Sequence, residues 1–352
     1  MDEAVADRDP TTTASTADTA GTGSAWVAGA AGHAGGETRV VAAGASDPGR
    51  VRAVNQDAYW CGSVGAKGFL AVVADGMGGH QTGEVASQQA LATFRATLRA
   101  LRAHPPAALA RAAQAANLDV HALATEHPEH QGMGTTLTAL LIDDQVGLVG
   151  HVGDSRAYRL RDGTLEQLTH DHSWVADRVR QGLLSEDEAR RHRWRNVITN
   201  ALGANPTFRL DLAAVDVQAG DRFLLCSDGM SMVVSEGLMA QILADRPPQA
   251  AVEALVAEAN DRGSPDNVTA VVVEVAALAP QPKRYELPSA SAIPTSVEVS
   301  DTMSGIRHVE DAYPLRSPLR ALRRQPWYPY RGWIVGSLYL VLLFLAFSVW
   351  RG

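Results

Sequence analysis

A chain of 352 residues, 46% of them apolar, has room for one large domain or two modest ones and for a sizeable buried core. Its net charge of −8, with no basic stripe and interleaved aromatics in the main body, excludes a nucleic-acid groove. The two cysteines, Cys61 and Cys226, make neither a disulfide framework nor a zinc spacing, and both read as small buried hydrophobes in a reducing compartment.

Residues 1–37 are rich in Ala, Thr, Gly, Asp and Ser, with almost no large apolar residue and no periodicity. Such a composition predicts a disordered tail, and its acidic start is not that of a secretory signal. From 38 to 276 the chain reads as one globular unit. Short apolar runs predict strands at 38–44, 57–63, 69–75, 135–142, 145–151, 155–161, 210–217, 222–227 and 268–275. Tight turns at Asp143-Asp144 and Asp162-Gly163 favour antiparallel hairpins. Helices are expected at 84–103 and 106–125, divided by Pro105-Pro106, and again at 235–245 and 248–262. Strands with helix pairs grouped between them predict an α+β sandwich.

The segment 170–197 is polar and Arg-rich. It is read either as a flap beside a site or as a solvated helical insertion. Eight of the 17 prolines fall between Pro280 and Pro329, so 277–331 reads as a linker. Residues 332–350 are 19 in number and carry no charge, and they are apolar all round. That is the length of a membrane-spanning helix, with Trp327, Tyr328, Tyr330 and Trp333 at one interface and Trp350 at the other. Arg316, Arg320, Arg323, Arg324 and Arg331 precede it and Arg351 alone follows, so the expected arrangement is a tail anchor in the cytoplasmic membrane with the main domain in the cytoplasm.

The chemistry-bearing pattern is an apolar run ending in Asp-Gly. It occurs as FLAVVADG, ending in Asp75-Gly76, and again as FLLCSDG, ending in Asp228-Gly229. One such pair alone would be a turn; the recurrence points to a site. HVGDSR, with Asp154, and SPDNVT, with Asp266, follow the same logic. Clustered carboxylates repel unless cations lie between them, and oxygen donors without Cys or His suit Mg²⁺ or Mn²⁺. Two such ions can activate a bridging water and clamp an in-line displacement at phosphorus. Arg52 is the candidate cation for the phosphate oxygens.

Read in order, VRAVNQD, VADGMGGHQTGE, GMGTTLTALL, GHVGDSRAYRL, LTHDHSWV, RNVITNALG, LLCSDGM and SPDNVTAVVV resemble the metal-dependent Ser/Thr protein phosphatases of the protein phosphatase 2C family, bacterial branch, over about residues 38–275. The resemblance implies a central antiparallel β-sandwich flanked by helix pairs (four layers, αββα) and a site for two or three Mn²⁺ or Mg²⁺ ions. It also implies hydrolysis of phosphoserine and phosphothreonine in proteins by a metal-bridging water, without a phosphoenzyme. Carried over by position, Asp75 looks like the carboxylate bridging both metals and the Gly76 carbonyl like a ligand of the second. Asp228 and Asp266 resemble first-metal ligands, and Asp154 joins Asp228 at a third. Asp57 looks like an acid ordering metal-bound water, Asn267 like a neighbour shaping the Asp266 turn, and Arg52 like the phosphate-binding arginine. Thr135 and Thr136 are expected to support the site from an adjacent strand.

The sequence departs from the family pattern at Gln56, where many members carry Glu, and at Met77, where animal members carry a histidine proposed as general acid. Weaker second-metal binding follows from Gln56. His80, close by, is the candidate for the acid role, although a metal-bound water could donate instead; His172 and His192 are expected to be structural or flap residues. The expected partners are phosphorylated Ser/Thr proteins, a cognate Ser/Thr kinase and the membrane, with no nucleic acid. The alternative reading is a catalytically weak phosphoprotein-binding module of the same fold, for which Gln56 is the only sign. No P-loop ending and no His-Arg-Asp catalytic loop support a nucleotide-dependent enzyme.

Overall fold

A computed structural model describes residues 25–31, 38–79, 82–278 and 295–298, the first and last of these as backbone. In chain order the strands begin with β1 (Ala25–Ala31), β2 (Thr38–Asp47), β3 (Asp57–Ser63) and β4 (Phe69–Met77). Two helices follow, α1 (Thr82–Ala100) and α2 (Pro105–Glu126). Next come β5 (Gly134–Thr135), β6 (Leu137–Asp143), β7 (Val146–Val152), β8 (Arg156–Arg161) and β9 (Thr164–Gln167). The polar excursion carries α3 (Trp174–Arg180) and α4 (Glu186–Arg191). The order ends with β10 (Arg209–Asp216), β11 (Arg222–Cys226), α5 (Asp228–Ser231), α6 (Glu236–Asp245), α7 (Pro248–Asp261), β12 (Val268–Ala277) and β13 (Thr295–Glu298).

The strands form two sheets, in the orders β1-β2-β12-β11-β8-β9 and β13-β10-β7-β6-β4-β3, with β5 paired to β4 off the second path. Neighbouring strands within both are antiparallel. The apolar runs are continuous because each central strand is covered on both faces, and alternate residues go to different cores. On β4, Leu70 and Val72 join the layer under α1 and α2, whereas Phe69, Ala71 and Val73 meet the other sheet. On β12, Ala270 and Val272 join the layer under α6 and α7, whereas Val271, Val273 and Val275 meet the first group between the sheets. These three cores define the four layers that the resemblance implied.

The helices obey the same economy of faces. Ala86, Ala90, Phe94 and Leu98 form the buried stripe of α1, and Pro105, at the start of α2, suits a position whose N–H has no helical partner. The hairpin turns use left-handed Asp144 (φ 55°) and Asp162 (φ 51°), a conformation that Asp tolerates better than most residues.

Three strands fall outside the stretches expected to be strands. β9 is absent from the expected strands, because TLEQ is a half-exposed edge strand without a buried face. β1 lies inside the stretch read as a tail and pairs with β2, while β13 lies inside the stretch read as a linker and pairs with β10. Both are edge strands recruited by main-chain hydrogen bonding, which side-chain composition does not report. The expected spanning stretch 332–350 lies outside the described residues; among the described residues no helix is long and apolar enough to cross a membrane.

Phe223 is wholly buried between the sheets. Truncating it by Phe223→Ala should cost about 3–5 kcal/mol. A urea titration of the full chain measures this as a lower midpoint at unchanged slope.

Candidate active site

The sheet register assembles the site. Asp57, the first residue of β3, stands directly opposite Asp75 on β4, a cross-strand pair of like charges that needs compensation. Asp154 occupies the turn between β7 and β8, Asp228 stands two residues after β11, and Asp266 two residues before β12. Ser227 N donates to Thr269 O at 3.1 Å, which brings the ends of β11 and β12 together at the same edge. Asp57 ties the two sheets there: its Oδ2 accepts from Ser227 Oγ and from Thr269 Oγ1, each at 2.7 Å.

The acids converge. Asp75 is pushed well above the usual carboxylate range by burial and then by the charges of Asp57, Asp228, Asp154 and Asp266. Burial likewise raises Asp228, reinforced by Asp154, Asp266 and Asp57. Asp154 is pushed up to about 7, chiefly by burial and then by Asp171. Asp57 rises to about 6 through burial, against the lowering effect of its Thr269 and Ser227 hydrogen bonds. Asp75 and Asp228 keep some surface at the rim, yet burial remains the larger cause and the neighbouring carboxyls the second. Arg52 reaches in from the loop before β3, and its Nη2 donates to Asp266 Oδ2 at 2.7 Å.

Among the described residues no three His, Cys, Asp or Glu side chains are grouped closely enough to hold a metal ion as they stand. The donor set nonetheless fits hard divalent cations. Asp57 Oδ1, Asp154 Oδ1 and Asp228 Oδ1 are buried oxygens with no hydrogen-bond partner, and an unpaired buried carboxylate oxygen is costly unless a cation meets it. Gly76 suits the backbone role: a Cβ there would lie 1.9 Å from Gly83 O and 2.6 Å from Gln56 O.

Thr135 and Thr136 act as expected from the neighbouring strand. Thr136 N and Thr135 Oγ1 donate to Asp75 O at 2.8 and 2.9 Å, and Asp75 N donates to Thr136 Oγ1 at 2.8 Å. His80 lies outside the described residues. His192 stacks on Trp174 in the polar excursion, ring centroids 4.8 Å apart. His172 is fully buried: its Nδ1 accepts from Gly153 N at 3.2 Å, its Nε2 donates to Asp211 Oδ2 at 3.0 Å, and its main-chain N donates to Gly153 O at 2.7 Å. One histidine therefore grips both amide groups of the residue before Asp154. Thr199 N also donates to His172 O at 2.8 Å, so the excursion is closed at its base, a geometry that fits a flap and a solvated insertion alike.

Sequence reasoning missed three contributors. Ser227 and Thr269 orient Asp57; their signal was a hydroxyl just before the second Asp-Gly and another two residues after Asp-Asn. The third is the Arg156–Asp171 pair, in which Nε and Nη2 of Arg156 donate to the Asp171 carboxylate at 2.9 and 2.8 Å. Asp171 is remote from Asp154 in the sequence, yet its charge raises that acid.

Against this geometry the comparisons with known proteins are specific. The sequence pattern of the protein phosphatase 2C family matches residues 49–265, more than half of the chain, and the chain belongs to that family. Within it the similarity runs to bacterial protein-serine/threonine phosphatases. The chain is 41% identical over 242 residues to Serine/threonine protein phosphatase PstP of Mycobacterium tuberculosis, a match covering 66% of this chain and 44% of that protein. The chain thus spans less than half the length of that curated relative. It is 34% identical over 235 residues to Serine/threonine phosphatase stp of Listeria innocua, covering 65% of this chain and 93% of that protein. Among solved structures, that of the Mycobacterium tuberculosis phosphatase PstP/Ppp superposes with a TM-score of 0.62 at 39% identity, over 67% of this chain and 98% of that one. The catalytic domain of PstP in complex with 2 manganese ions superposes with a TM-score of 0.61 at 37% identity, over 68% and 99% of the two chains.

The electrostatics of the site and its surroundings can be tested in two ways. Mn²⁺ at about 100 times its Kd should stabilise the fold by about 2.7 kcal/mol, read as a rise in melting temperature that is absent with K⁺. His151, buried beside His172, is pushed down to about 3 by burial, so it stays neutral in the fold. Its contribution is complete above the unfolded value of about 6.5 and lost as pH falls toward 3, at up to about 1.4 kcal/mol per pH unit. A denaturation series across pH 4–7 should show that slope, reduced in His151→Gln.

Proposed function

We propose that this chain is a metal-dependent phosphatase acting on phosphoserine and phosphothreonine in proteins, tethered to the cytoplasmic membrane. The observation that carries the reading is the convergence of Asp57, Asp75, Asp154, Asp228 and Asp266 on one edge of the sandwich, with the Arg52 guanidinium on the last of them. Asp75, the Gly76 carbonyl, Asp228 and Asp266 would hold two Mn²⁺ or Mg²⁺ ions, and Asp154 with Asp228 a third. When bound, these ions supply positive charge for the phosphoryl oxygens and lower the pKa of water at the site.

The protein's own groups do the rest. Arg52, with its side chain about half exposed, turns guanidinium N–H groups outward from Asp266 toward an incoming phosphate, and a planar fork suits that geometry. Asp57, with Oδ2 fixed by Ser227 and Thr269, leaves Oδ1 unpartnered to accept a hydrogen bond from the attacking water and orient it. Residues 332–350 supply the tether and the stretch between β13 and residue 332 the leash, and a Ser/Thr kinase on the same membrane face supplies the substrates.

The binding-module reading rests on Gln56, which offers an oxygen without a charge where a carboxylate would strengthen a cation site. A phosphopeptide assay with Mn²⁺ separates the two. Turnover is expected in the unaltered chain and a loss of about 100-fold or more in Asp75→Asn and Asp228→Asn, the scale of one missing electrostatic contact at the reacting centre. Equal turnover in those variants rejects the proposal, and calorimetry without Mn²⁺ uptake favours the module. Deleting 332–350 should move the protein from the membrane fraction to the soluble one.

A further inference from the structure

The phosphate-gripping role of Arg52 needs the guanidinium to stand at a fixed place, yet Arg52 sits in the irregular stretch 48–56. Val51 beside it is 69% exposed, so packing does not hold the loop. Beside local ties such as Asn55 Nδ2 to Ser46 Oγ at 2.7 Å, one buried side chain spans the loop. Asn267 is 4% exposed; its Oδ1 accepts from Gln56 N at 2.8 Å, while its Nδ2 donates to Pro48 O at 2.9 Å and to Val54 O at 3.0 Å. Both amide hydrogens and the carbonyl oxygen of the side chain are thereby used on one loop, and the reverse orientation of the amide would satisfy none of the three.

We infer that Asn267 is a positioning residue for Arg52, stapling the loop 48–56 at both ends so that the guanidinium in its bend meets the site. This deepens the functional reading above and rests on it for the role of Arg52. Two adjacent residues share the work of placement. Asp266 Oδ2 takes the guanidinium at 2.7 Å, and Asn267 takes the main chain on either side of it. The loop also lies close against the Asp266 backbone, since a Cβ on Gly49 would stand 2.4 Å from Asp266 O. The tie continues inward, because Gln56 O accepts from Gly76 N at 3.1 Å and from Ser87 Oγ at 2.6 Å. One buried amide thus joins the loop of the phosphate-gripping arginine to a chain of contacts that ends at the Asp75-Gly76 edge.

A simpler role, shaping the Asp266 turn alone, is separable. The bond from Asn267 to Asp266 is made by the main-chain N, to Oδ1 at 2.9 Å, and any residue except proline keeps it. Removing the side chain therefore loosens the loop and leaves that contact in place.

The test is Asn267→Ala in the full chain, alone and combined with Arg52→Ala. In the single variant, kcat/KM for a phosphopeptide should fall about tenfold, the equivalent of one or two lost hydrogen bonds. The Mn²⁺ concentration for half-activation should stay within about twofold, and tryptic cleavage after Arg50 and Arg52 should quicken about tenfold as the loop comes free. In the Arg52→Ala background, Asn267→Ala should cost nothing further, because the residue acts through the arginine. Independent, multiplying losses overturn the inference. So does a large shift in Mn²⁺ half-activation with trypsin protection intact, which would assign Asn267 to the metal ligand. If Arg52→Ala leaves kcat/KM unchanged, the phosphate role of Arg52 fails, while the tryptic readout still decides the staple. Should Asn267→Ala not fold, amide exchange in the unaltered chain decides: the Gln56 amide should exchange about tenfold more slowly than those of Arg52 and Ala53, and equal rates overturn the inference.

Discussion

Repulsion among carboxylates held at one edge of the sandwich is the constraint around which this molecule is arranged. Asp57 and Asp75 face each other across a strand pair, and Asp154, Asp228 and Asp266 add their charges from three other junctions. A fold under selection for stability alone would not collect five acids there, since each raises the cost of ionising the next. The surrounding polar groups answer that cost only in part: Ser227 and Thr269 for Asp57, the main-chain support of Thr135 and Thr136 for Asp75, and Arg52 for Asp266. The remainder is the cost that the divalent cations proposed above would offset.

The supports around the acids share a design. Each acid sits where a strand ends, and its neighbour in space comes from a distant part of the chain. His172 holds the Gly153 amides before Asp154, Asn267 holds the loop before Asp57, and Asp57 itself bridges to the opposite sheet. The strands provide rigidity, and single buried polar side chains convert it into placement. Such groups contribute little net stability when paired, but an orphaned partner is expensive, so their arrangement is strongly specified.

Much of this was legible in the sequence, for reasons that can be named. The apolar runs gave the central strands to within a few residues because both faces of each sheet are covered, as at Phe69–Met77. The recurring Asp-Gly endings marked the site because strand ends are where a sheet edge can present acids. What was not legible depends on pairing at a distance. β9 is too polar to carry a pattern, and β1 and β13 are chosen by edge hydrogen bonding. Arg156–Asp171 and the reach of Asn267 to residues more than 200 positions earlier leave no local trace.

The pairing of β2 with β12 has a consequence for biogenesis. The opening strand of the core and its closing strand are hydrogen-bonded neighbours, with Asp47 opposite Val268 and Val40 opposite Val275. A nascent chain cannot complete that sheet until the stretch through Ala277 has left the ribosome, because the slot beside β2 is filled last. Topologies dominated by such remote contacts fold slowly and leave strand edges bare in the interval. The acid cluster is therefore complete only once the final strand has paired, since Asp266 stands just ahead of it.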